Sequence, residues 1–301
     1  MAFALRHATA AEQRQRDLVT YAAWGQKLTQ AQFEQREARL RAHPWALGAM
    51  ETWLWTEDGR VLASCETFRT EASLGPWKGA AWAIASVFTE APLRGRGYAK
   101  AMLEALLQVL RGRPGALGAV LFSEVGATLY EAVGFRVVGA SDLVFPAAGT
   151  RWPDGVRPLA RPLAAPAPAS APGALRLHPS AAQLDWHLER SAIYAELLRA
   201  PLGEVFGAAH DGATLWWTPY FKTQELLVLW AQGAAERLAP LLEAARSTAA
   251  ALGMHQVRCW RVPALPTDGA REVPRDGELP MVCGFVPQLS TWDDVQRALW
   301  V

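Results

Sequence analysis

The chain has 301 residues, enough for two domains, or one large one, at roughly 150 residues per domain. Hydrophobic residues make up 51% and charged residues 20%, which excludes disorder as the main state. A net charge of +1, from 30 Lys+Arg against 29 Asp+Glu, gives no electrostatic ground for a nucleic-acid partner or an acidic membrane surface.

In chain order, Thr9 with Glu12 and Thr29 with Gln32 have capping-box spacing and predict helices over 9–24 and 29–42. Strands at 50–57 (METWLWTE) and 60–69 (RVLASCETFR) flank Asp58-Gly59, a hairpin turn signal. A strand at 81–89 (AWAIASVFT) leads through a basic, glycine-rich turn at 93–99 into a helix over 98–111, stopped by Gly112 and Pro114. A strand at 117–123, a short helix at 126–133 and a strand at 135–144 complete the first half.

Seven of the 20 prolines lie between Pro146 and Pro172, interleaved with alanines. Proline lacks a backbone donor and fixes φ, so this run reads as an extended linker. Three segments follow: a domain at 1–147, a Pro/Ala-rich linker at 148–173 and a second domain at 174–301. In the second, Ser180 and Gln183 open a helix to about 198. Strands at 214–218 and 225–231, a helix at 234–252 and a strand at 255–262 come next. TLWWT is similar to Thr52–Thr56, and Gly284-Phe285 falls where Gly134-Phe135 fell. A diverged duplication and chance likeness of short Trp-rich strands both fit. The 14 tryptophans read chiefly as core and sheet packing, with an aromatic ligand platform as the lesser alternative.

The chemistry concentrates in VFTEAPLRGRGYAKAMLEALL, residues 87–107. Glycines between a strand and a helix let the backbone approach an anion closely. Successive amides and the helix N-terminus then form a diphosphate cradle, with Arg94 and Arg96 adding positive charge. A Rossmann fingerprint fails, because its third glycine would fall on Lys100. Gly-Lys-Ser/Thr, needed for a Walker loop, occurs nowhere. The spacing that fits is R-x-x-G-x-A.

Residues 84–135 resemble the acetyl-CoA-binding core of the GNAT N-acetyltransferase superfamily. Val87-Phe88-Thr89 matches its splayed strand, Arg94 to Ala99 its Q/R-x-x-G-x-G/A loop, and Leu129 to Phe135 its L-Y-E-x-x-G-F segment. LTQAQFEQREARL (28–40), VLASCETF (61–68) and LPMVCGF…TWDD…ALW also resemble the fungal-type lysine N-acetyltransferase family known as LYC1. The resemblance implies an α/β (α+β) GNAT fold with a mixed, mostly antiparallel twisted sheet, plus a second GNAT-like or α/β C-terminal domain. The second domain lacks the diphosphate loop, so it would complete the acceptor pocket or stabilise the first.

Mapped residue by residue, the resemblance has backbone groups of Val87, Phe88 and Thr89 pairing with the pantetheine arm of acetyl-CoA. Amides of Gly95, Arg96, Gly97, Tyr98 and Ala99 hold the diphosphate. Ser123 stands where many members carry Asn. Tyr130 matches the tyrosine that protonates the departing thiolate, a step the chemistry requires. The acceptor amine must first lose a proton. Glu66 is the leading candidate for base or amine anchor, with Glu90 and Glu124 as rivals. Cys65 alternates to the opposite face and reads as core.

The six histidines form no metal-ligand spacing, so no metal is expected. The expected partner is a small amine or amino acid, lysine-like by resemblance. A protein or peptide amine, or a non-catalytic CoA-binding module, stand as alternatives. The protein is expected to be a monomer or homodimer, with no nucleic-acid or membrane partner. No run approaches 18 uncharged apolar residues, and MAFALRHATAAEQRQR has no basic segment before its apolar patch, so neither a membrane span nor a secretory signal is expected. Three cysteines (Cys65, Cys259, Cys283), odd in number and far apart, fit a reducing cytoplasm.

Overall fold

The computed structural model describes residues 2–149, 151–162, 171–275 and 277–301. A strand that the sequence reading missed, β1 (Phe3–His7), precedes α1 (Ala10–Trp24) and α2 (Gln30–Ala42). Both capping boxes form: Thr9 and Thr29 accept the amides of Glu12 and Gln32, whose side chains take the Thr amides in return. After α3 (Pro44–Ala49) come β2 (Met50–Glu57), β3 (Arg60–Leu74) and β4 (Trp77–Phe88). The β3–β4 hairpin is longer than predicted and turns at Gly75. Then follow α4 (Tyr98–Arg111), β5 (Ala116–Ser123), α5 (Thr128–Glu131), β6 (Arg136–Val137) and β7 (Ser141–Pro146). The second half runs β8 (Arg157–Leu159), β9 (Ala174–His178), α6 (Ala181–Leu198), β10 (Gly207–His210), β11 (Ala213–Tyr220), β12 (Glu225–Gln232) and α7 (Ala235–Ala251). It ends with β13 (Gln256–Trp260), β14 (Arg271–Pro274), β15 (Leu279–Gly284) and β16 (Thr291–Trp292).

Two mixed, mostly antiparallel sheets result, in the strand orders β1-β2-β3-β4-β5-β15-β6 and β14-β7-β13-β12-β11-β10-β8. Each holds a parallel pair joined by a crossover helix, β4 with β5 through α4 and β12 with β13 through α7, and the first sheet also pairs β9 with β16 in parallel. The halves then exchange strands. β7 pairs with β13, and β15 pairs with β5. The strand predicted as one piece at 135–144 is therefore two, β6 staying in the first sheet while β7 crosses to the second. Both sheets thus draw strands from either side of position 147. The expected linker at 148–173 carries structure as well, since β8 pairs with β10 at the edge of the second sheet. An edge is where a strand tolerates Pro158. Thr150 and 163–170, in the same segment, lie outside the described residues.

One apolar cluster joins the halves. Phe68, Leu74 and Val120 of the first sheet pack with Trp216 and Trp230 of the second and with Trp186 of α6. Among the described residues, no helix is long and apolar enough to cross a membrane. Eight tryptophans are buried, in keeping with core packing, while Trp24, Trp186 and Trp300 line a cavity described below.

His187 of α6 is buried in this shared core, its Nε2 donating to the Ala298 carbonyl at 3.0 Å. Burial holds its pKa down at about 3, with Arg190 and Arg297 acting in the same direction. The unfolded chain takes up this proton near pH 6.5 and the folded chain does not, so stability falls as pH drops below about 6.5. At 1.36 kcal/mol per unit, His187 should account for about 2 kcal/mol lost between neutral pH and pH 5. Urea unfolding of wild type and His187→Gln at pH 7.5 and 5.0 checks this. The variant should lack that increment of acid sensitivity.

Candidate active site

The site begins where β4 leaves β5. The parallel pairing ends at Ile84–Leu121, yet β4 continues to Phe88. The cause is a bulge. The β3–β4 register slips between Ser64 and Glu66, and Ser86 takes a left-handed φ of 52°. A bulge adds twist and re-aims the strand, so from residue 85 onward β4 presents a backbone edge that, among the described residues, has no strand against it on the β5 side. Val87, Phe88 and Thr89 lie on this stretch, and the Thr89 hydroxyl is buried with no hydrogen-bond partner among the described residues.

The strand runs into the glycine loop. Gly95 and Gly97 have φ of 75° and 80°, and a Cβ added at either would meet nothing within 4 Å. Gly97 caps α4 with no side-chain hydrogen bond. Among the described residues, no acceptor lies on the amides of Gly95, Arg96, Gly97, Tyr98 or Ala99. Arg94 fastens the loop to the strand end, its Nε donating to the Thr89 carbonyl at 2.9 Å and its guanidinium lying 5.9 Å from the Phe88 ring centre. α4 is held by Met102, Leu103, Leu106, Leu107 and Leu110, one buried stripe at helical spacing. A free strand edge thus leads into uncapped amides on a rigid helix, a combination that suits an extended polar chain ending in an anion.

The splay opens into a cavity of about 860 Å³. Tyr130 lines it from α5, its ring packed edge-on to Phe135 at 6.2 Å. Its hydroxyl has no hydrogen-bond partner among the described residues. Burial, aided by Cys65 and Glu124, pushes its pKa up to about 12. Glu66 lines the cavity from β3 and is only 5% exposed. Burial drives its carboxyl above the usual range, against the pull of Arg16, whose Nη1 stands 2.9 Å from Oε1. Cys65, one residue earlier, faces the α4 side with Tyr130, as alternation requires. Glu66 and Tyr130 therefore reach the cavity from opposite faces of the sheet, which the β4–β5 opening connects.

Two sequence candidates fall outside the cavity lining. The Ser123 hydroxyl is committed to the following turn, donating to the Gly126 carbonyl and accepting the Val125 amide. Glu90 is exposed and caps a short 3-10 turn at Ala91–Leu93. Glu124 is exposed but does line the cavity.

Sequence reasoning missed a charged layer from α1 and α2. Arg16 also donates to the Ser64 hydroxyl and the Ser86 carbonyl, so it ties the β4 bulge to β3. Arg41 grips Asp17 with both Nη atoms, at 2.8 and 2.5 Å, and Glu37 pairs with Arg36. Arg16, Asp17 and Thr20 share one buried face of α1, a spacing that was present in the sequence but reads as an ordinary polar helix. The second half closes the cavity with Trp186, Arg190, Tyr220, Lys222 and Trp300. Its own splay is filled: β12 and β13 part after Leu227–Arg258, and the Gln296 side chain takes both the amide and the carbonyl of Ala231.

Comparison with known proteins finds two matching family models. A model of the acetyltransferase (GNAT) family matches residues 16–135, and one of the LYC1 GNAT-like C-terminal domain matches residues 155–280. A lysine acetyltransferase of Yarrowia lipolytica (strain CLIB 122 / E 150) is 24% identical over 294 residues, covering 74% of each chain. Among solved structures, a GCN5-related N-acetyltransferase from Anabaena variabilis has a TM-score of 0.61 at 14% identity, over 95% of this chain and 73% of that one. A conserved protein of Enterococcus faecalis V583 has a TM-score of 0.60 at 12% identity, over 96% and 74%.

Proposed function

This chain belongs to the GNAT superfamily of N-acetyltransferases, and we propose that it acetylates the amine of a small molecule, an amino acid of lysine type being the favoured acceptor. The observation that carries this reading is the free β4 edge running into the uncapped amides of residues 95–99 at the cavity. Acetyl-CoA supplies the thioester. The amides of Gly95 to Ala99 hold its diphosphate, and the backbone of Val87, Phe88 and Thr89 pairs with its pantetheine arm. Glu66 takes the proton from the acceptor amine, a task its raised basicity favours. Tyr130 donates a hydrogen bond to the departing sulfur. The catalytic unit is the segment 1–147 completed by β15, and the second half covers the acceptor. Three free, buried thiols support a reducing cytoplasm.

A small acceptor is favoured over a protein amine because Trp186, Tyr220 and Trp300 wall the cavity from the second half. The name of the Yarrowia relative supports the same reading. The test combines calorimetric binding of acetyl-CoA with free-thiol release across amino acids, diamines and lysine-bearing peptides. Micromolar binding of acetyl-CoA and turnover of small amines are expected. A preference for peptides overturns the acceptor class, binding without turnover leaves a CoA-binding module, and no binding ends the cofactor reading.

A further inference from the structure

Most cations that line the cavity on its acceptor side have a carboxylate in contact. Arg16 has Glu66, Arg36 has Glu37 and Arg41 has Asp17. Arg297, just behind, has Glu278 at 2.5 Å. Arg190 of α6 and Lys222, in the turn between β11 and β12, are different. Both line the cavity, and neither makes an ion pair or hydrogen bond among the described residues. Arg190 is nonetheless held in place, its guanidinium 4.6 Å from the centre of the Trp300 ring. A guanidinium lying against an aromatic ring keeps its N–H edges available for an oxygen anion. Lys222 is crowded as well as partly buried: burial first, then Arg190 and Arg36, bring its pKa down to about 8. Positive charge with no carboxylate in contact, gathered in a partly desolvated wall, is unfavourable for the fold alone, and an anion would relieve it.

The opposite charge lies deeper. Arg36, whose charge acts on both Arg190 and Lys222, is paired with Glu37, and Glu37 in turn acts on Glu66. Two cations without an ion pair among the described residues therefore stand in the wall from the second half, where Glu124 and Glu278 act on Lys222 only from beyond contact, while the buried carboxylates Glu37 and Glu66 lead to the β4 bulge. A zwitterionic amine fits that order: its carboxylate at the cations, its reacting amine toward Glu66.

We propose that Arg190 and Lys222 seat the carboxylate of the acceptor, so that the enzyme selects amino acids over simple amines. This rests on the acetyltransferase reading above. The discriminating pair is L-lysine and cadaverine, the same diamine without the carboxylate, assayed on the full chain with saturating acetyl-CoA. Wild type should prefer L-lysine in kcat/KM by about 10- to 100-fold, the range for a charged hydrogen-bonded contact. Arg190→Gln and Lys222→Gln should each collapse that ratio, chiefly through KM for L-lysine. In parallel, L-lysine should raise the melting temperature of the wild-type protein with CoA present, and should do so less in either variant.

Equal use of both amines by wild type, or a ratio left unchanged in both variants, overturns the carboxylate seat and leaves the acetyltransferase intact. A rise in the KM for acetyl-CoA in the variants also overturns it, by assigning the cations to a phosphate of the donor. Absence of thiol release with every amine, against a thermal shift with L-lysine that both variants lose, would fail the function while sparing the seat.

Discussion

Gly97→Val should weaken acetyl-CoA binding about 100-fold or more in calorimetry, with the protein still unfolding in one cooperative transition. The position is left-handed, at φ 80°, and it caps α4. A β-branched residue there costs roughly 1–2 kcal/mol of backbone strain, which a domain of this size withstands. Among the described residues, no atom beyond the chain neighbours lies within 4 Å of the added Cβ, so the fold meets no clash. The donor does meet one, because that open space is where a diphosphate would accept the loop amides. Losing two such charge-assisted contacts, at about 1.5 kcal/mol or more each, gives the stated factor. Gly253→Val is the control: it has a left-handed φ of 69° and equally open space, but lies past the end of α7, away from the cavity. Equal weakening in both variants would trace the loss to general strain and remove the loop from cofactor binding.

What was legible in the sequence was local. The loop announced itself because left-handed positions demand glycine within three residues of one another. Thr9 and Thr29 announced two helices because a capping box closes over four residues. The Cys65–Glu66 alternation correctly put those neighbours on opposite faces. Glu66 itself lines the cavity, as its candidacy requires, but its burial was not legible. A residue on a sheet covered on both faces looks, in sequence, like one facing water. Its partner Arg16 is 50 residues away, on a helix whose polar face gives no sign of being inward.

Glu90, a rival to Glu66, and Ser123, a candidate donor contact, show the limit from the other side. Being near a strand end fixes a residue's neighbourhood but not its rotation, and one caps a turn while the other closes a loop. The strand exchange was invisible for a related reason. β7 and β15 have the same apolar pattern in either sheet, so nothing local says which of two similar edges each will join. Arg190 and Lys222, 32 positions apart, read as two more surface charges until α6 and the β11–β12 turn bring them to one wall.

Tyr130→Phe should lower kcat by about 10²- to 10³-fold, the usual consequence of removing one donor aimed at developing negative charge. The change should leave acetyl-CoA affinity within a few-fold and the melting temperature nearly unaltered. The hydroxyl has no partner among the described residues, so its removal orphans no buried group, while the ring keeps its contact with Phe135. How the hydroxyl acts is read from the pH dependence. Burial raises its pKa to about 12, which stabilises the protonated phenol and keeps it a donor through the whole assay range. Full transfer to a thiolate of ordinary basicity, near 8.5, would be uphill. Tyr130 is therefore expected to act as a hydrogen-bond donor to the departing sulfur rather than as the source of its proton. Wild type and variant should then show parallel kcat profiles from pH 6 to pH 10, separated by a constant factor. Profiles that converge as pH rises would mean that Tyr130 gives up its proton within that range. An unchanged kcat in the variant would remove Tyr130 from the chemistry and leave it a packing residue of α5.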